Sequence, residues 1–301
     1  MPSQHQLTIA IVGLGNVGLA LSHLFTKHAH QEQQLHLIAA GRDVEDSIAR
    51  LKAFDIDIEV TNVQQAIRRA DICLLTVKDS QIKSLCELHS KEFKPTSVVA
   101  HCSGSLDSEV LISAKRESGA SICSMHPLNT FPTPKAAILN LDNPKHNTYL
   151  YIEGDQSALD ICDPLFTNFG FNSLRINREA KPAYHAACVF ASNYLLSLID
   201  ASLTTAQAAG IDSDQFTKSI MPLAKATLAN IEQDGMLSAL SGPIARGDTD
   251  TVAQHIELLS KLDSSLHAAY VNLGLRALEL AKTNGNLSKS SIERLSAALN
   301  S

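Results

Sequence analysis

Leu7–Val12, followed at once by Gly13-Leu14-Gly15-Asn16-Val17-Gly18, constrains this chain more than any other feature. LTIAIV is an apolar, β-branched run bounded by glycine, the pattern of a buried strand. A helical run from Val17 to about Lys27 comes next. GxGxxG between a strand and a helix has a definite physical use. Gly13 permits the tight turn, Gly15 lets backbone approach a pyrophosphate with no Cβ in the way, and Gly18 lets the helix pack close on the strand. The helix N-terminus then offers amide donors and partial positive charge to the anion. The motif assigns Gly13, Leu14, Gly15, Asn16, Val17 and Gly18 to dinucleotide binding.

The rest of the first half repeats the strand–helix alternation. Strand-like runs fall at Leu35–Ala40, Ile56–Val60 (weaker), Ile72–Val77, Val98–Cys102 and Ser121–Met125, with added strands at Thr148–Ile152 and Ser173–Ile176 around a helix at Ser157–Asn168. Such alternation predicts βαβ units in an α/β fold, a doubly wound, Rossmann-type parallel sheet. From Glu179 onward only helical periodicity remains. The expected organisation is a dinucleotide-binding domain over 1–177 and an all-α C-terminal domain for substrate and dimerisation over 178–301. Ala186–Ile199 is apolar almost all round, which predicts a central core helix that also serves a subunit interface.

An NAD site places Asp or Glu at the end of the second strand to accept from the ribose 2′-hydroxyl. This chain has Gly41-Arg42-Asp43 there. The Arg42 guanidinium suits a 2′-phosphate, which favours NADP(H). Asp43 either caps the next helix or repels that phosphate. Ligands bind beyond the carboxyl ends of the strands, so Val77 and Lys78 should line the nicotinamide side, and Ser103 and Gly104, after the fifth strand, should meet cofactor and substrate.

Lys plus Arg is 25 against 31 Asp plus Glu, a net charge of −6, and no basic run is present, so no nucleic-acid partner is expected. No apolar run reaches the roughly 20 residues of a membrane span, so no membrane association is expected. Six cysteines without a CxxC pair read as reduced, packed thiols, and the expected compartment is cytoplasmic. Cys123-x-x-His126 has an allowed ligand spacing, but neighbouring strand residues face opposite sides, and no metal site is expected.

Lys181 and His185 lie one helical turn apart and can face one cleft. A carbonyl reduction needs a proton donor at the new alkoxide, and either side chain can serve. His126 and Asn129 sit at the sheet edge as candidate substrate ligands, with Asn193 further along the helix. Arg246, in a Gly-Pro…Arg-Gly-Asp turn, either clamps a substrate carboxylate or pairs with Asp248.

Taken in order, GLGNVG, His101-Cys-Ser-Gly-Ser105, His126-Pro-Leu-Asn-Thr-Phe131, Lys181-Pro-Ala-Tyr-His185, Ser192-Asn193 and Ser241-Gly-Pro-Ile-Ala-Arg-Gly-Asp248 resemble the group of Rossmann-domain proteins with a C-terminal helical domain of unknown function. That group is often labelled NADP oxidoreductase, deazaflavin-dependent type. More distantly the chain is similar to the β-hydroxyacid dehydrogenase superfamily, ketopantoate reductase included. The resemblance implies NADP(H), a homodimer through the helical domain, and Lys181 as general acid/base. It departs from the superfamily pattern at His185, where an Asn is usual. The leading expectation is an NADPH-dependent oxidoreductase reducing a small carbonyl, a 2-oxo acid with ketopantoate as the specific candidate. An imine (C=N) reductase and a non-catalytic NADP(H)-binding redox sensor are the alternatives.

Overall fold

The computed structural model describes residues 6–29, 35–143 and 147–301. The chain divides into two compact units, Met1–Asn193 and Tyr194–Ser301.

In the first unit the elements run β1 (Leu7–Val12), α1 (Asn16–Ala29), β2 (Leu35–Gly41), α2 (Val44–Lys52), β3 (Glu59–Asn62), α3 (Val63–Arg69), β4 (Ile72–Leu75) and α4 (Asp79–Leu88). They continue with β5 (Val98–His101), α5 (Ile112–Ser118), β6 (Ser121–Leu128), α6 (Pro134–Asp142), β7 (Tyr149–Gly154), α7 (Gln156–Asn168), β8 (Asn172–Arg175) and α8 (Lys181–Ala191). The eight strands form one sheet in the order β3-β2-β1-β4-β5-β6-β7-β8. β1 to β6 pair in parallel, and their apolar side chains are buried on both faces, forming two core clusters. This is the doubly wound, Rossmann-like arrangement.

Two local expectations are corrected. The weak third strand lies at Glu59–Asn62, not Ile56–Val60, because the pairs Ile38↔Glu59 and Gly41↔Asn62 set its register on β2. β6 runs on to Leu128, so His126 lies inside a strand and not after it. The cause is antiparallel pairing with β7, which aligns Tyr151 with His126 and Glu153 with Ser124. Side chains of paired residues share a face of the sheet, so this register gathers polar groups at the carboxyl ends of β5 and β6.

The second unit is helical: α9 (Asn193–Ala208), α10 (Ser213–Ser238), α11 (Pro243–Arg246), α12 (Thr249–Leu262), α13 (Ser264–Asn284) and α14 (Lys289–Leu299). α9 starts on the last residue of the first unit. The core of the second unit comprises Ile244, Val252, Ile256, Leu278, Ala281, Leu295 and Leu299, all from α11 to α14. α10 buries none of its residues.

The expected core helix over Ala186–Ile199 is not formed as such. Ser192 (φ −117°, ψ −70°) separates α8 from α9, and the apolar side chains there are exposed, Phe190 at 68% and Leu196 at 73%. α8 groups with the sheet, so the compact units divide 16 residues later than the expected 177/178 boundary, since Lys181 and Tyr184 bond to the sheet edge. By length and apolarity alone, the helical run Arg178–Ala208 would also suffice to cross a membrane, against the expectation that no such run exists.

Candidate active site

The β1–α1 turn has the geometry its glycines allow. Gly13 adopts φ +105°, and a Cβ there would meet Val77 Cγ1 at 2.7 Å. A Cβ on Gly18 would lie 2.0 Å from Gly13 O and 2.8 Å from Thr76 Oγ1. At Gly15 the same position is open, with nothing within 4 Å. Gly15 therefore opens onto the cleft while its two partners pack the turn, and α1 carries no acidic residue in its first turn to compete with an anion.

The cleft has a volume of about 1020 Å³. Gly13, Leu14, Gly15, Asn16, Val17, Arg42, Val77 and Lys78 line it; Gly18 and Ser103 do not. Gly18 contributes packing, and Ser103 is buried. The cleft also contains residues that the motif did not reveal. Arg50, on α2, donates from Nη1 to Leu14 O at 2.7 Å, tying that helix to the glycine turn. Phe131 lines the opposite wall, its carbonyl held by Asn16 Nδ2 at 2.7 Å. Asp43 accepts from Asp46 N at 2.8 Å and caps α2, the first of the two readings of that residue. A dinucleotide fits this set: an open glycine for the pyrophosphate and Arg42 and Arg50 at the ribose end.

Polar groups crowd the carboxyl ends of β5 and β6. His101 is fully buried; its Nδ1 accepts from Ser103 N at 3.1 Å, and its Nε2 lies 3.0 Å from Asp107 O, to which it donates. Burial pushes its pKa down to about 4, so the ring is neutral. Ser103 Oγ donates to Asp79 Oδ2 at 2.6 Å and accepts from the amides of Ser105 and Leu106.

Lys181 is 1% exposed. Its ammonium donates to Ser103 O at 2.9 Å and to Ser124 Oγ at 2.7 Å. Burial lowers its pKa, opposed first by the Glu153 carboxylate, itself buried and bonded to Ser108 N and Oγ at 2.7 and 2.8 Å. Lys181 thus lies beneath the Ser103–Gly104 loop as an anchor, not at the surface of a cleft as expected.

His185, one turn along α8, stands differently. Its Nδ1 is buried with no hydrogen-bond partner. A Cβ on Gly104 would meet His185 Nδ1 at 2.6 Å and His126 Nε2 at 2.9 Å, so the two imidazoles converge on the one residue that leaves them room. The rings cross at 80° with centroids 6.3 Å apart. His126 Nδ1 lies 2.6 Å from the Tyr184 hydroxyl, and Tyr184 packs on Tyr151 with centroids 4.4 Å apart. Burial, then the nearby Lys181 and His185, bring the His126 pKa down to about 4 against the pull of Asp79.

Asn129, expected to bind substrate, is committed to the loop: it donates to Asn140 O and Thr148 Oγ1 and accepts from Thr130 N. Asn193 closes the first unit. Arg246 ends α11 in the second unit, and Asp248 caps α12 through Thr251 N and Oγ1. Tyr184, missed in the sequence, is adjacent to His185 in the polar opening of the same helix.

Residues 2–127 match the model of a Rossmann-like domain, and residues 148–277 match a domain of unknown function, DUF2520. No curated protein matches the chain. Among solved structures, protein TM1727 from Thermotoga maritima is 23% identical over 91% of this chain and 98% of its own, with a TM-score of 0.68. BF3122 from Bacteroides fragilis, provisionally named an NADP oxidoreductase, is 16% identical over 92% and 100%, with a TM-score of 0.71. The imine reductase from Myxococcus stipitatus, solved with NADP+, is 15% identical over 96% and 99%, with a TM-score of 0.63. In chain order, the part similar to a Rossmann-like domain precedes the part similar to DUF2520. At these identities the structural likeness concerns the fold.

Proposed function

We propose that this protein is an NADPH-dependent oxidoreductase that reduces a small carbonyl compound, with 2-oxo acids such as ketopantoate as the leading substrate class. One observation carries the reading: two imidazoles converge at Gly104, on the edge of the same sheet whose glycine turn opens onto a nucleotide-sized cleft. When bound, reduced nicotinamide supplies a hydride to the substrate carbon. His185, one helical turn beyond Lys181 and facing Gly104, is the proton donor to the substrate oxygen. His126, neutral because of its surroundings, orients that oxygen through Nε2. Lys181 acts indirectly, holding Ser103 and Gly104 in place. Asn193 is a further substrate contact in this reading, and Arg42 and Arg50 hold the 2′-phosphate.

A C=N bond as substrate is a second reading, favoured because a protein of the same fold is named imine reductase. A homodimer through the helical unit belongs to the proposal as well, supported by the exposed apolar faces of α9 and α10. So does a cytoplasmic location.

The test is a titration with NADPH and, separately, NADH. The chain contains no Trp, so the nicotinamide fluorescence itself is followed. Tighter binding of NADPH is expected, and Arg42→Ala should weaken it by roughly ten- to a hundredfold, the value of a charged hydrogen bond to phosphate. NADPH oxidation with ketopantoate, pyruvate and 1-pyrroline then separates C=O from C=N reduction. Equal binding of both nucleotides removes the role of Arg42; no binding of either removes the reductase reading.

A further inference from the structure

Tyr184 occupies a position that the proposed reaction does not by itself require. It is wedged between His126 on β6 and Tyr151 on β7, two residues that the antiparallel register sets opposite each other. Its hydroxyl lies 2.6 Å from His126 Nδ1, and its other hydrogen-bond neighbour is Cys188, one turn along α8. A phenol has one hydrogen to give. An imidazole nitrogen is a much better acceptor than a thiol sulfur, so that hydrogen goes to His126, while the weak thiol donor can serve the phenol oxygen. Burial keeps Tyr184 protonated and His126 neutral, and a neutral imidazole that accepts at one nitrogen carries its hydrogen on the other.

We propose that Tyr184 is a positioning residue that donates to His126 Nδ1 and so fixes the His126 hydrogen on Nε2, the nitrogen turned toward Gly104, making His126 an oriented hydrogen-bond donor for a substrate oxygen. The role in reduction rests on the function proposed above; the tautomer does not. The groups facing His126 are Lys181 and His185 from α8, Asp79 from α4, His101 from β5 and Tyr184 itself. Of these, Tyr184 is the one bonded to Nδ1.

The test uses the full-length protein with ¹⁵N-labelled histidine, without substrate, read by long-range ¹H–¹⁵N correlation; the His126 signals are those lost in His126→Gln. The expected spectrum shows Nε2 protonated and Nδ1 bare. In Tyr184→Phe, which keeps the ring stack, loss of the donor to Nδ1 should mix the two tautomers. If the protein turns over, kcat falls on the order of tenfold, less than the 10²–10³ of removing an oxyanion donor outright, with NADPH binding unchanged. A hydrogen on Nδ1 in the wild type, or an Nε2 tautomer left unmixed in Tyr184→Phe, overturns the proposal. A protein with the Nε2 tautomer that reduces nothing retains the Tyr184–His126 coupling and loses the reductase reading instead.

Discussion

The two buried imidazoles at the sheet edge have a consequence for stability. His101 and His126 bind a proton with a pKa of about 4 in the folded chain, against an ordinary value of 6.5. The unfolded chain therefore holds more protons throughout that interval, and stability rises with pH across it. It is fully present above about pH 6.5 and is lost as pH falls toward 4, on the order of 3 kcal/mol for each ring at most. Glu153, whose pKa is raised by burial, acts in the opposite sense at the acid end. Urea unfolding across this range should show stability dropping with a slope that approaches two protons, and His126→Gln should remove one of them. A flat profile between pH 6.5 and 4 contradicts the burial of both neutral rings. Lys181 and His185 were legible as a pair from their spacing, since residues four apart share a helix face. What spacing could not reveal is depth: Lys181 is buried under Ser103, and only the tertiary packing of α8 on β5 and β6 sets that.

The β1–α1 turn separates two kinds of glycine within one motif. Gly15→Ala points its methyl into open space, so unfolding temperature should hold while NADPH binding weakens by at least about tenfold, because the methyl takes the place meant for pyrophosphate. Gly18→Ala drives a methyl to 2.0 Å from Gly13 O; it should lower stability by about 1–3 kcal/mol through overpacking. Thermal unfolding beside NADPH titration checks both, and matching losses in the two variants would contradict the distinction. This turn was readable in the sequence because every interaction that shapes it is local or to the adjacent strand. The extension of β6 was not, because its cause is a pairing with β7, some 25 residues away in the chain, that is antiparallel where β1 to β6 pair in parallel. The run Ala186–Ile199 is ambiguous for a related reason. A helix that is apolar all round is coded alike whether the covering surface comes from its own chain or from another.

At the scale of the molecule, α9 and α10 expose Leu196, Leu198, Met221, Leu223, Leu228 and Met236, and no residue of α10, which Gly235 (φ 80°, ψ 167°) breaks near its end, is buried. A second copy is the occupant that the proposed dimer supplies. Light scattering should give about twice 32.4 kDa, and Leu196→Asp with Leu223→Asp should yield a monomer of reduced stability; a wild-type monomer overturns the dimer. The place of α8, after all eight strands, has a further consequence during synthesis. All eight strands have been made by Arg175, yet the ammonium that braces the Ser103 loop and the imidazole facing Gly104 arrive only with residues 181 and 185. The residues that line the nucleotide cleft, the last of them Phe131, are therefore all made before the proposed proton donor, and a nascent chain of that length still lacks the group that completes the proposed reaction.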